Sequence, residues 1–186
     1  HVFLDMIDDR LHSRISNGIC NEVDSMVEMM RTIVSFCPGA LKTLNQRSEN
    51  VLQVFLRSSG FRRCDKNLRF DTVRLLVDAD PSLAGSTSDS KKSSPLHLAC
   101  RFHPSCNQMI LYLAKVNQHA LTARFNWRGR IPIHYLIESS PSNMNSFELV
   151  ATLAEYYRRD RWSFNTYFDE KGDSLLSTAC RSGCSL

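Results

Sequence analysis

"SSPLHLAC", residues 93–100, sets a serine ahead of a proline, then leucine, histidine, leucine and alanine, and closes on a cysteine. His97 and Cys100 are either a base beside a nucleophile or two fixtures of a structural unit, and recurrence distinguishes the two. "IPIHYLI" at 131–137 keeps proline, an aliphatic residue and histidine in the same order, and fainter copies stand at "SLLSTAC" (174–180) and "NVLQVFL" (50–56). Aligned on Val51, Pro95, Pro132 and Leu175, the copies are 44, 37 and 43 residues apart. Catalysis needs a nucleophile, a base and an orienting group in one cleft. A repeat instead puts equivalent histidines in successive units, each serving its own turn. The chain is therefore read as non-catalytic and without a cofactor.

The local chemistry of the motif is that of a helix start. Ser94 is placed to accept a backbone N–H of the first turn, and Pro95 at the first helical position gives up a donor that would be orphaned anyway. Leu96, Leu98, Ile133 and Tyr135 are placed to pack inward, and Ala99 leaves room for a neighbouring helix. His97 and His134 each carry two ring nitrogens, enough to bond their own cap and a neighbouring loop. Six residues before the anchors stand Asn45, Asp89, Asn126 and Asp169, and three before stand Ser48, Lys92, Gly129 and Gly172. Asn and Asp bond their own backbone in turns, and Gly accepts positive φ. Aliphatic residues at helical spacing follow in "FDTVRLLVD" (70–78), "CNQMILYLAKV" (106–116) and "SFELVATLAEYY" (146–157). They also precede the first turn in "VFLDMIDDRLHSR" (2–14) and "NEVDSMVEMMRTIVSF" (21–36).

On these residues the chain resembles the ankyrin repeat family, whose pattern D-x-x-G-x-T-P-L-H-x-A is matched to decreasing degrees by "DSKKSSPLHLA", "NWRGRIPIHYL" and "DEKGDSLLSTA". The resemblance implies an all-α, ankyrin-type solenoid of stacked antiparallel helix pairs with turn fingers. It would form a single domain over 1–186 with units at about 1–44, 45–88, 89–125 and 126–168 and a partial one at 169–186, cut from a longer array. Departures are the loss of the proline at Val51 and Leu175, of the histidine at Gln53 and Ser177, and of the turn glycine at Lys92. The period also exceeds the family's, and the extra residues at 58–67, 81–94 and 139–146 are read as longer surface loops.

Composition fits an ordinary folded chain: of 186 residues 42% are hydrophobic and 23% charged, and the net charge of +4 is too small to imply a nucleic-acid or membrane partner. Seven scattered cysteines, Cys20, Cys37, Cys64, Cys100, Cys106, Cys180 and Cys184, are read as reduced thiols of an intracellular protein in the cytoplasm, the nucleus or an organelle, with no targeting segment in view. Cys100, His103 and Cys106 lack a fourth ligand in a recognised spacing, so no metal is expected.

Such arrays bind partners with turn tips and the free face of the first helices. Four residues before each anchor stand Arg47, Lys91, Arg128 and Lys171, and six after stand Arg57, Arg101, Glu138 and Arg181. Seven of these eight are basic, and Arg130 adds to them; Phe102, Phe125, Trp127 and Phe168 lie beside them. The expected function is a protein-protein interaction scaffold that takes an acidic segment of another protein. Alternatives are a structural subunit of a larger complex and a strip that meets nucleic acid or anionic lipid. Ser94, Pro95, His97, Gly129, Pro132, His134 and Gly172 are assigned to the architecture.

Overall fold

A computed structural model describes residues 27–87 (29 and 33 excepted), 93–123, 129–139, 144–159 and 168–182. The chain is built from helices: α1 (Val51–Arg57), α2 (Ser59–Arg63), α3 (Lys66–Ala79), α4 (Pro95–Phe102), α5 (Asn107–Val116), α6 (His119–Thr122), α7 (Pro132–Ser139), α8 (Met144–Arg159) and α9 (Leu175–Arg181). Residues 27–36 add a further helical stretch, while the expected helix at 2–14 lies outside the described residues. Among the described residues extended pairing is limited to a bridge between Phe168 and Ser174.

Val51, Pro95 and Leu175 open helices because the residue before each one caps. Asn50 accepts from the Gln53 N–H while the Gln53 side chain accepts from the Asn50 N–H, a reciprocal capping box. Ser94 and Ser174 accept from the third helical N–H in the same way, and Pro95 spends no donor in the first turn.

The four anchored helices pack in chain order, α1 on α4, α4 on α7 and α7 on α9. A second row runs beside it, α3 on α5 and α5 on α8, and α4 with α5 and α7 with α8 tie the rows together. Between the rows lies one apolar core holding Phe55, Leu56, Val73, Leu76, Leu96, Ala99, Ile110, Leu113 and Leu136. Helix α4 is covered on every side, Pro95 through Cys100 all being buried.

Two stretches expected as surface loops are partly structured. In 58–67, Ser58 ends α1 and at once caps α2, and this places Phe61 in the core with its ring edge on Phe55 at 5.4 Å. In 81–94, Pro81–Ala84 form a 3-10 turn that buries Leu83 and Ala84. That turn recurs: Pro38–Lys42 buries Leu41, and α6 buries Ala120 and Leu121. The common sequence, "PGAL", "PSLA" and "QHAL", was open to a repeat search but is too short to stand out. Helix α8 takes in the end of the third expected loop, from Met144.

Candidate functional site

The turns before Val51 and Leu175 share one geometry. Asn45 Oδ1 accepts from the backbone N–H of Arg47 and of Glu49, both at 2.9 Å, and the turn closes with Asn45 N–H to Glu49 O at 3.0 Å. Asp169 Oδ1 accepts from Lys171 and Asp173 at 2.8 and 3.0 Å, with Asp169 N–H to Asp173 O again at 3.0 Å. The residue three before the anchor is left-handed in three units: Ser48 at φ 55°, Gly129 at 63° and Gly172 at 76°.

The side chain two past the anchor closes its own helix start, and from Gln53 and His97 it also reaches the next unit. Gln53 Nε2 donates to Ser93 O at 3.0 Å. His97 Nδ1 accepts from the Ser94 hydroxyl at 2.8 Å, and Nε2, facing a carbonyl, carries the proton and donates to Arg130 O at 3.1 Å. His134 Nδ1 accepts from Ile131 N–H at 3.3 Å. Its Nε2 lies buried without a hydrogen-bond partner among the described residues, near enough to the Asp173 carbonyl to be pulled toward its charged form. The acceptors belong to the residue two before the next anchor. Ser177 is the short exception, its hydroxyl ending on Ser174 at 3.1 Å.

Burial depresses the His97 pKa to about 4, although the carbonyls of Arg130 and Ala123 resist. Burial lowers His134 as well, and the Arg130 charge adds to it. Burial thus favours the neutral form of both imidazoles, and His97 is a strut between turns.

His103, the cap that ends α4, is fully buried. Its Nε2 donates to Leu56 O at 2.9 Å, satisfying a carbonyl at the end of α1, and its Nδ1 accepts from the Arg69 guanidinium at 3.0 Å. Burial takes its pKa to about 4, and the Arg69 and Arg62 charges push the same way. The lock crosses 47 residues to Leu56 and 34 to Arg69, so no local pattern announces it.

Cys100 is wholly buried and desolvation drives its thiol pKa sharply up; Cys106 shifts up for the same reason. A thiol held protonated is a poor nucleophile and a poor metal ligand. Among the described residues no three His, Cys, Asp or Glu side chains converge to hold a metal ion. Cys64, Cys100 and Cys106 are buried thiols outside any disulfide, whereas Cys37 and Cys180 are exposed. Leu56 shares the core place of Cys100, but Cys180, at the same place in its unit, is exposed. A shallow groove of about 540 Å³ on the second row is lined by Val77, Pro81, Lys115, Val116 and the Tyr112–Asp78 pair. Desolvation and the hydrogen bond to Asp78 push the Tyr112 phenol up to about 12, so it stays protonated there.

The basic positions separate into three groups. Arg57 Nη1 lies 2.6 Å from Oε1 of the buried Glu49, a contact of charge rather than an aligned hydrogen bond, and Arg181 pairs with Asp173. Arg130 is only 4% exposed: its guanidinium sits between Glu138 at 2.5 Å and Asp169 at 3.3 Å. Burial works against the Arg130 charge, and the two carboxylates outweigh it. Arg130 therefore belongs to the architecture rather than to an open contact surface. Arg47 and Lys171 are exposed at equivalent turn tips. Lys91, Trp127 and Arg128, with Phe125, lie outside the described residues.

Arg101 remains, exposed at the end of α4. Its guanidinium carbon is 5.0 Å from the ring centre of half-buried Phe102 and 5.6 Å from that of Tyr135. Exposed Arg62 sits 4.5 Å from the Phe102 ring centre and donates to the Arg57 and Ser58 carbonyls. Two guanidiniums thus share one aromatic ring, with no carboxylate against either among the described residues. Phe168 is exposed at the far turn.

Among the described residues no helix is long and apolar enough to cross a membrane. The chain matches no known protein-family model and no curated protein.

Proposed function

We propose that the chain is a divergent ankyrin-type solenoid that acts as a non-catalytic protein-binding scaffold and takes an acidic segment of another polypeptide. One observation carries the reading: Arg62 and Arg101 stand exposed around Phe102 without an acidic partner among the described residues, while the buried imidazoles are spent on joints between units. Arginines beside an aromatic ring are the groups that most often dominate binding energy at a protein interface. The recurring turns, caps and cross-unit hydrogen bonds support the repeat assignment, because each falls at the same offset from its anchor. The expected basic strip narrows, since Arg57, Arg130 and Arg181 are matched within the chain.

The test is affinity capture on the immobilised chain at moderate salt, followed by identification of the bound polypeptides. R101E together with R128E should abolish capture and leave the thermal midpoint nearly unchanged. Capture unaffected by the double reversal would refute the reading. So would retention of nucleic acid or anionic vesicles in place of polypeptide.

A further inference from the structure

The ion pairs around the anchors follow a rule with one gap. Two residues before and six after the anchor, the side chains carry opposite charge and meet: Glu49 with Arg57, Arg130 with Glu138, and Asp173 with Arg181. The sign is reversed in the unit of Arg130, so the position demands complementarity rather than one residue type. In the unit anchored at Pro95 the corresponding residues are Ser93 and Arg101. Ser93 is buried and uncharged, and among the described residues Arg101 has the rings of Phe102 and Tyr135, and no carboxylate, against its guanidinium.

We propose that Arg101 is the docking point for an aspartate or glutamate side chain of an acidic peptide, which completes in trans the ion pair that the other units complete in cis. This rests on the protein-binding reading above and names the place and chemistry of first contact. In the three sister units the anion at this joint is a carboxylate. Arg57 and Arg130 are already neutralised by Glu49 and by Glu138 with Asp169, so the local excess sits on Arg62 and Arg101. Two cations suit one or two side-chain carboxylates, whereas nucleic-acid affinity at physiological salt is built from many neutralised phosphates. The rings of Phe102 and Tyr135 hold the Arg101 head in place, which lowers the entropy lost when a carboxylate pairs with it.

A short fluorescein-labelled peptide rich in Glu and Tyr serves as probe, titrated by anisotropy against the wild-type chain and S93A, S93E and R101Q, with circular dichroism to establish that each variant folds. S93E supplies the missing acid from within. It should raise the thermal midpoint and weaken the peptide by about tenfold, the loss of one good charge pair. R101Q should weaken the peptide as much without raising the midpoint, and S93A should bind like the wild type. Peptide binding that survives S93E and R101Q overturns this assignment while leaving the scaffold reading standing. A wild-type chain that binds no acidic peptide removes the scaffold reading and this inference with it. A single-stranded oligonucleotide that binds more tightly than the peptide and is lost in R101Q would reassign the site to phosphate and overturn the carboxylate.

Discussion

Lowering the pH from 8 to 5 should weaken the fold by several kcal/mol, through imidazoles that are neutral and buried in the native state. His97 and His103 both fall from 6.5 to about 4. Their folded-state pKa lies below the unfolded one, so between those values the unfolded chain binds more protons and stability drops as pH falls through the window. At 1.36 kcal/mol per unit, the shift is worth about 2 kcal/mol for each ring at pH 5, and about 4 for the pair. His134 shifts in the same direction. For a chain of this size the pair translates into a midpoint lowered by roughly 10 °C. Far-UV circular dichroism melts at pH 8, 6.5 and 5 measure it. Gln53 shows how to separate titration from bonding, since at the equivalent place it accepts from its cap and donates to Ser93 O. H97Q should stay within about 1 kcal/mol of the wild type at pH 8 and lose about half of the acid sensitivity, so that the two melting curves cross. A midpoint flat between pH 8 and 5, or an H97Q/H103Q double variant as acid-sensitive as the wild type, would refute the argument. The depressed carboxylate of Asp169 acts outside this window, its stabilisation being lost only as pH falls below the ordinary carboxylate value.

Other outcomes follow from the same geometry. Gly172 has open space around it and φ 76°, so G172A should cost about 1 kcal/mol through backbone strain alone, while S48G, at φ 55°, should gain a similar amount; urea midpoints of the two variants decide. R57A strands the buried Glu49 carboxylate and should cost about 3 kcal/mol. E49R with R57E together should recover most of that, because the Arg130–Glu138 pair runs in the reversed sense. With Cys20 and Cys184 replaced by serine, a thiol reagent should titrate Cys37 and Cys180 in the native protein. It should reach Cys64, Cys100 and Cys106 only after denaturant is added.

What the sequence revealed was local. Ser94 and Pro95 mark the start of α4 because capping and proline geometry act within one turn, and the aliphatic spacing marks α3, α5 and α8. Helix boundaries moved where a cap lay further upstream, as in α3, which begins at Lys66 rather than at Phe70 because Asp65 accepts from the Asn67 N–H. The stretch around Phe61 was missed because Ser58 both ends one helix and caps the next, so a polar serine pair looked like a loop. The Arg69–His103–Leu56 lock was illegible because its partners are far apart in the chain. The ion-pair rule lay in plain sight but needed two alignment columns at once. Six past the anchor, basic residues alone suggested an open strip, and only the acids two before it show which of them are already matched.

The joint from one unit to the next ends on a main-chain oxygen, of Ser93 for Gln53 and of Arg130 for His97. Every amino acid supplies that oxygen, so mutation can rewrite the receiving position without undoing the seam. The donor side is held more tightly, since Gln53 goes with an asparagine cap, His97 with a serine hydroxyl and His134 with the Ile131 N–H. Drift along such a chain should therefore be lopsided, with caps and donors changing as couples while the receiving residue answers only to its ion-pair partner six past the anchor and leaves the seam itself intact.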